Sequence, residues 1–243
     1  MRDWVCGFFM AWGMFLAIPC PRKIWSEGAR QKMLVCMPLV GLLAGGVWAG
    51  AWLLLRGAPG PVRAAVCAAV PWLVTGFMHL DGYMDVCDAV LSRRDLATRQ
   101  RILKDSHCGA FAVICMVLLA MGQWSLFLAA EDVSWLGLLL IPAATRACAG
   151  LAVLGLRPMG TSQYAAMGPA RGGYGAVLWV LLALSVGLPL WLDGSFGPLA
   201  AAVGYGLAVW YGFRNLDGMS GDISGFALTI GELCGCGAAI LWR

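Results

Sequence analysis

Long apolar stretches separated by short polar segments dominate the chain. A helix needs roughly 20 apolar residues to cross the hydrocarbon core of a bilayer. Seven stretches come near that length, at residues 33–55, 62–80, 109–130, 135–156, 175–193, 197–213 and 222–242. The pattern predicts an all-α fold, a polytopic membrane helical bundle with about seven transmembrane helices. Because no linker or long soluble segment interrupts it, residues 1–243 are expected to form one integral-membrane domain.

The first apolar stretch, residues 4–19, is shorter and is closed by Pro19-Cys20-Pro21. Its length favours an N-terminal interfacial or half-spanning helix. A cleaved signal peptide is the alternative, but Arg2 is followed at once by Asp3, and no small-residue cleavage site follows the apolar run.

Composition agrees with the hydrophobic pattern. The chain is 60% hydrophobic and 12% charged, with a mean hydropathy of +0.78. Soluble domains are typically about a quarter charged, so a soluble globular protein is excluded. The ten cysteines form no CxxC pair and lie mostly in apolar spans, which indicates packing residues and not a zinc site.

The basic residues are distributed asymmetrically between the predicted loops. With the N-terminus in the cytoplasm, cytoplasmic loops should be enriched in Lys and Arg. Three polar segments then meet at the cytoplasmic face, at residues 81–107, 157–174 and 214–225. Twelve basic residues fall inside, and Arg56, Arg63 and Arg243 fall outside; the inside set is Arg22, Lys23, Arg30, Lys32, Arg93, Arg94, Arg99, Arg101, Lys104, Arg157, Arg171 and Arg214.

A stripe of carboxylates stands at the edge of the second predicted span. Residues 79–88 read HLDGYMDVCD, and on a helix Asp81, Asp85 and Asp88 fall within an arc of about 60° over about 10 Å of axis. Three acids so close repel one another unless a cation is present. Because oxygen ligands suit hard divalent cations, the stripe predicts a site for Mg²⁺ or Mn²⁺. His79, on the same helix, is expected to be a polar partner of the carboxylates.

Two further polar segments carry candidate site residues. Five basic residues lie between positions 93 and 104, and carboxylates beside cations are typical of phosphoryl transfer. An ordinary positive-inside loop is the alternative for most of them. In the last segment, glycines flank Ser220 and Asp222 before a predicted helix, an arrangement that suits phosphate. Asp222 is a further candidate metal ligand, with a helix N-cap as the alternative.

Glu232 falls about 15 Å into the last predicted span, where an unpaired carboxylate is costly. Arg146, inside the 135–156 span, is its expected ion-pair partner, with direct participation in the site as the alternative.

Three strings in the chain resemble the cobalamin synthase family of adenosylcobinamide-GDP ribazoletransferases. They are residues 75–88 (TGFMHLDGYMDVCD), 104–109 (KDSHCG) and 218–222 (GMSGD). Shorter matches at 19–21, 38–43, 145–146 and 231–233 extend the likeness, in collinear order, over nearly the whole chain.

The resemblance implies an Mg²⁺-dependent transferase of the inner membrane, with its active site facing the cytoplasm. Its substrates would be adenosylcobinamide-GDP and α-ribazole or α-ribazole 5′-phosphate, with release of GMP. Beyond membrane lipid, it leaves a homo-oligomer or other corrinoid-assembly enzymes open as partners, and it implies no nucleic acid.

The resemblance also assigns residues to roles. Asp81, Asp85, Asp88 and Asp222 become the metal ligands, and Asp88 or Asp105 accepts the ribazole proton, with Asp88 favoured. Lys104 and Arg146 stabilise the leaving phosphate. The remaining substrate-binding candidates are His79, Ser106, Gly218, Ser220 and Gly221. The chain departs from the family pattern at Ser220, usually Thr, and at Ala17, where many members carry Arg after a Thr; Arg22 or Lys23 would have to replace that Arg.

Two other classes of membrane protein share features with these residues. A CDP-alcohol phosphotransferase has a similar Asp-Gly-x-x-Asp motif, but its pattern wants Ala-Arg soon after the Asp-Gly and a longer run to the last Asp. A cation- or proton-coupled transporter predicts acids spread across the membrane depth and internal repeats. Here the acids cluster at one face and no repeat is found.

Overall fold

The computed structural model describes residues 2–160, 162, 164 and 172–242. Within these ranges the protein is all-helical, as the sequence predicts, and its only β-type pairing is an isolated parallel bridge between Pro158 and Met219. Arg171, one of the basic residues expected inside, lies outside the described residues. The helices are α1 (Arg2–Phe15), α2 (Arg30–Leu54), α3 (Gly60–Val74), α4 (Met78–Leu91), α5 (Leu96–Ile102), α6 (Ala110–Ala129), α7 (Trp135–Gly155), α8 (Tyr174–Leu192), α9 (Gly197–Leu216) and α10 (Gly221–Leu241); a 3₁₀ turn, Glu27–Ala29, precedes α2.

The predicted number of seven spans is not confirmed. Five described helices are long and apolar enough to cross a membrane, namely α2 with its 3₁₀ turn, α6, α7, α8 and α10. A sixth span results if α3 and α4 are counted together as one bent segment. Helix α9 is long enough, but its glycine, tyrosine and tryptophan residues make it less apolar than the others. Helix α1, with 14 residues, is too short to span, as the sequence predicts.

The second predicted span, residues 62–80, is wrong as a continuous helix. Helix α3 ends at Val74, and α4 starts at Met78 at an angle of 91° to it. The chain turns because Gly76 and Phe77 both adopt positive φ angles, 60° and 63°, which an α-helix cannot contain. The break places the stripe of carboxylates on a separate helix, α4.

Close helix contacts hold the bundle together. Helix α2 packs on α7 at Gly41 and Gly45, where an added Cβ would lie 2.5 Å and 2.0 Å from backbone oxygens of Pro142 and Leu139. Gly46 and Gly50 of the same helix have no comparably close neighbour. All ten cysteines are free thiols, as predicted.

Candidate active site

Two glycines bring the carboxylates of α4 and α10 together. A Cβ on Gly82 would lie 2.8 Å from the carbonyl oxygen of Asp222, and one on Gly225 would lie 3.0 Å from the carbonyl oxygen of His79. Only residues without a side chain allow backbones to approach this closely. Since Asp81 directly precedes Gly82, the contact brings Asp81 and Asp222 to one site, although 141 positions separate them in the sequence.

Asp81 and Asp222 line one cavity of about 380 Å³. The same cavity is lined by His79, Lys104, Ser220 and Gly221, so six predicted site residues are brought together. Its remaining wall is largely apolar and includes methionines of α2, among them Met33 and Met37. The arrangement offers carboxylate, ammonium and hydroxyl groups inside a hollow whose other surfaces are largely apolar.

Asp85 lies next to this cavity on α4 and is half-buried. It interacts electrostatically with Asp81, Asp222 and Asp88, all of the same charge. Four carboxylates so close together repel one another unless protons or a cation neutralise them. The predicted acids therefore interact electrostatically with one another, and Asp81 and Asp222 lie on the cavity wall; their shared role stays a prediction.

The carboxylates on the cavity wall fit a magnesium ion that takes its other ligands from substrate phosphates and water. As the described side chains stand, no three Asp, Glu, His or Cys residues converge closely enough to hold a metal ion. Mg²⁺, however, is usually bound through one or two carboxylates together with substrate phosphates and water. Asp81 and Asp222 fit such a site, and binding of the metal by the four predicted carboxylates stays a prediction.

Asp88 caps a helix in this structure. Its Oδ2 accepts a hydrogen bond from the backbone N–H of Gly109 at 2.5 Å, and its Oδ1 accepts one from Ala112 at 3.0 Å. Gly109 is the N-cap of α6 and Ala112 lies in its first turn. Backbone N–H groups at the start of a helix have no hydrogen-bond partner within the helix. The sequence did not predict this role. The roles of Asp88 as metal ligand and as proton acceptor stay predictions. In either role, its two carboxylate oxygens would be shared with the cap hydrogen bonds.

Of the three residues of the Lys-Asp-Ser motif at 104–106, only Lys104 lines the cavity. Lys104 lines the cavity, whereas Ser106 is exposed and does not line it. Asp105 accepts hydrogen bonds from the backbone N–H of His107 at 3.0 Å and from its Nδ1 at 2.6 Å. These bonds lower the pKa of Asp105 and raise the pKa of His107. A carboxylate stabilised in its charged form is a weaker proton acceptor, which argues against Asp105 as the base.

The glycine-rich segment before α10 is fixed by its own hydrogen bonds. Ser220 is the N-cap, and its Oγ accepts from the N–H of Ile223 at 3.3 Å; the N-cap alternative for Asp222 is therefore wrong. Asp222 occupies the first turn, where the helix dipole favours a negative charge. Gly218 has φ of 142°, and an added Cβ would lie 2.6 Å from the Cα of Met159, so it packs against backbone and does not line the cavity.

His79 is buried between the cavity and α10. Its ring stacks on Phe15 with 6.3 Å between centroids, and its carbonyl oxygen accepts from Thr229 Oγ1. Its Nε2 has no hydrogen-bond partner among the described residues. A hydrogen bond to the carboxylates is therefore not formed here, and the predicted partnership stays a prediction.

The ion pair between Arg146 and Glu232 is confirmed. Arg146, only 2% exposed, donates from Nη1 to the Glu232 carboxylate and to the carbonyl oxygen of Pro142. Arg146 does not line the cavity, but it interacts electrostatically with His79, which does. Its predicted contact with the leaving phosphate stays a prediction.

Sequence reasoning missed several cavity residues. Trp25, in the segment before α2, and Arg30, the first residue of α2, both line the cavity. Tyr164 also lines it, near Asp222. Arg22 and Lys23, the expected substitutes for the missing family arginine, line an adjoining recess of about 620 Å³ instead. Nothing in the sequence distinguishes Arg30 from the other basic residues of the cytoplasmic loops, because its place on the cavity wall depends on how the chain before α2 folds.

The fold and the site define a class: a multi-helical membrane protein with a cavity whose described lining carries two carboxylates, Asp81 and Asp222, and two cations, Arg30 and Lys104. Comparison with known proteins makes the class specific. The sequence profile of the cobalamin-5-phosphate synthase family matches residues 7–240. The chain belongs to this family.

Curated relatives agree in name and length. An adenosylcobinamide-GDP ribazoletransferase of Clostridium botulinum (strain Alaska E43 / Type E3) is 32% identical, with both chains covered completely. One of Clostridium perfringens (strain 13 / Type A) is 33% identical over 93% of this chain and 94% of the relative. A third, of Halalkalibacterium halodurans, is 39% identical over 60% of this chain and 58% of its own length. No solved structure matches the chain.

Proposed function

We propose that the protein joins α-ribazole or its 5′-phosphate to adenosylcobinamide-GDP and releases GMP. The observation that carries the proposal is the convergence of Asp81, Asp222 and Lys104 on one cavity, in a chain of the matching family. The likeness to the named ribazoletransferases supplies the substrates. Neither the phospholipid-forming alternative nor the transporter is favoured by the family match.

In this reaction a ribose hydroxyl oxygen forms a bond to the phosphorus attached to the cobinamide. The bond from that phosphorus to the bridging oxygen breaks, and GMP leaves with this oxygen. The transition state places negative charge on the phosphoryl oxygens and on the leaving group, so catalysis depends on positioning and on positive charge. Bound Mg²⁺ would supply charge neutralisation on the diphosphate.

The residues of the chain divide these tasks. Asp81 and Asp222, with Asp85 beside them, would hold the metal, and the Lys104 ammonium would stabilise the leaving phosphate of GMP. The apolar wall would keep water, a competing nucleophile, away from the phosphorus. We keep Asp88 as the proposed proton acceptor; each of its oxygens accepts one cap hydrogen bond and keeps a second lone pair for a proton.

We further propose that the protein lies in the inner membrane with this cavity open to the cytoplasm. Support comes from the five to six candidate spans and from Lys104 and Arg30, which place basic residues at the end of the bundle that holds the cavity.

The test is GMP release by the purified protein in lipid nanodiscs, with adenosylcobinamide-GDP, either acceptor and Mg²⁺. Asp81→Asn should abolish release while membrane insertion and the thermal unfolding midpoint stay unchanged. Asp132→Asn, at the opposite end of the bundle, is the matched control and should retain activity. Absence of GMP release by the folded wild-type protein would overturn the proposal, and near wild-type release by Asp81→Asn would overturn the role of Asp81.

A further inference from the structure

Arg30, the first residue of α2, carries one of the two positive charges on the cavity wall. Among the described lining residues, the cations are Arg30 and Lys104, and the anions are Asp81 and Asp222. The two cations come from different parts of the chain, one before the first long span and one after α5. A charged substrate entering the cavity therefore meets positive charge contributed by two separate elements.

The guanidinium of Arg30 is held by two neighbours. Its Nε lies 2.8 Å from Glu27 Oε2, and its Nη2 donates to Glu27 Oε1 at 3.3 Å. Its Cζ lies 5.6 Å from the ring centroid of Trp25, and the Trp25 indole N–H donates to the same Glu27 Oε1 at 2.7 Å. Glu27 thus links the two cavity residues, and the side chain of Arg30 loses much of the freedom that a surface arginine has.

Among the described residues, the contacts to Glu27 leave part of the guanidinium free. Arginine has five N–H donors in a planar fork, and the carboxylate uses two of them. A planar fork with free donors matches two oxygens of a phosphate group, and preorganisation by Glu27 and Trp25 lowers the entropy lost when a phosphate binds.

We propose that Arg30 binds a phosphate group of a substrate, and that Glu27 and Trp25 position its guanidinium for that contact. The proposal rests on the proposed function, which brings phosphate groups to this cavity. Two phosphates share the required chemistry: the one that departs in GMP, and the 5′-phosphate of α-ribazole 5′-phosphate, which the reaction leaves untouched.

The experiment compares Arg30→Met with wild type, measuring kcat and KM for adenosylcobinamide-GDP, α-ribazole and α-ribazole 5′-phosphate separately. Loss of a charge-assisted, two-point contact should raise one KM by about 10- to 100-fold. A rise for adenosylcobinamide-GDP with either acceptor assigns Arg30 to the departing phosphate. A rise for α-ribazole 5′-phosphate alone, with α-ribazole unaffected, assigns it to the 5′-phosphate.

Three further variants separate binding from folding. Arg30→Lys keeps the charge but not the fork, and should recover part of the loss in KM. Glu27→Gln should raise the same KM by a smaller factor, about 3- to 10-fold, because the guanidinium is less well oriented. Arg94→Met removes an exposed positive charge outside the cavity wall and should leave every KM at the wild-type value.

Unchanged KM values for all three substrates in Arg30→Met would overturn the proposal. So would a loss confined to kcat that follows a lower thermal unfolding midpoint, because a purely structural residue would give that result. Both results are distinct from failure of the proposed function, in which the wild-type protein itself releases no GMP.

Discussion

The contact between Gly82 and α10 gives the sharpest test of how this site is assembled. In Gly82→Ala the new Cβ would lie 2.8 Å from the Asp222 carbonyl oxygen, whereas ordinary contact begins at 3.4 Å. Because the obstacle is backbone and not a flexible side chain, α4 and α10 must separate by about 0.6 Å to restore ordinary contact. Asp81 and Asp222 then move apart with their helices.

The cost can be estimated from two opposing effects. Forcing a methyl group into close-packed backbone typically costs about 1–3 kcal/mol. Replacing glycine by alanine within a helix returns about 0.5–1 kcal/mol of backbone entropy. The net change in the free energy of unfolding is therefore small, about 0–2 kcal/mol of destabilisation. Activity should suffer far more, since a displacement of about 1 Å can reduce the rate by about 100-fold.

The assay pairs GMP release with thermal unfolding of the same nanodisc preparation. Gly82→Ala should lower kcat/KM by about 10- to 100-fold with only a modest change in the unfolding midpoint. Gly122→Ala, in the interior of α6 with no atom near its added methyl group, is the matched control and should keep wild-type activity. Wild-type kcat/KM in Gly82→Ala would refute the reasoning that this contact sets the spacing of the carboxylates.

Three other predictions concern groups around the site. Asp88→Asn replaces a cap acceptor by an amide that can satisfy only one of two N–H groups, so it should destabilise the protein by about 1–2 kcal/mol, seen as a lower unfolding midpoint; an unchanged midpoint would contradict the capping role. Glu232→Gln leaves the buried charge of Arg146 unpaired and should lower the free energy of unfolding by about 3–5 kcal/mol. If the pair is structural, the double variant Arg146→Met/Glu232→Met should unfold near the wild-type midpoint. In ¹⁵N-histidine spectra, His107 should titrate above its usual pKa, and Asp105→Asn should bring that midpoint down. The contribution of His107 to stability is present below its unfolded pKa and is lost as pH rises through its raised folded pKa. The contribution of Asp105 is lost as pH falls through its lowered folded pKa. An unchanged titration midpoint of His107 in Asp105→Asn would count against the pair.

Local sequence was a good guide where one helix carries the whole signal. The acidic stripe and the apolar helices follow from periodicity, and the position of Glu232 alone shows that it needs a buried partner, because an unpaired charge is costly in lipid. It failed at residues 75–77, because a 91° turn depends on two left-handed residues inside an apolar run that looks continuous. It also failed at Asp88, whose cap partners Gly109 and Ala112 are more than 20 positions away.

The sequence by itself determined an all-helical membrane protein, its family and the residue types of its site. Hydrophobic length, the placement of charge and the order of the motifs depend on neighbours along the chain, so they can be identified without a fold. Only the tertiary structure decided which of the candidate groups share a cavity. That choice depends on backbone contacts between distant helices, such as Gly82 on Asp222, and on the folding of the segment that carries Trp25 and Arg30.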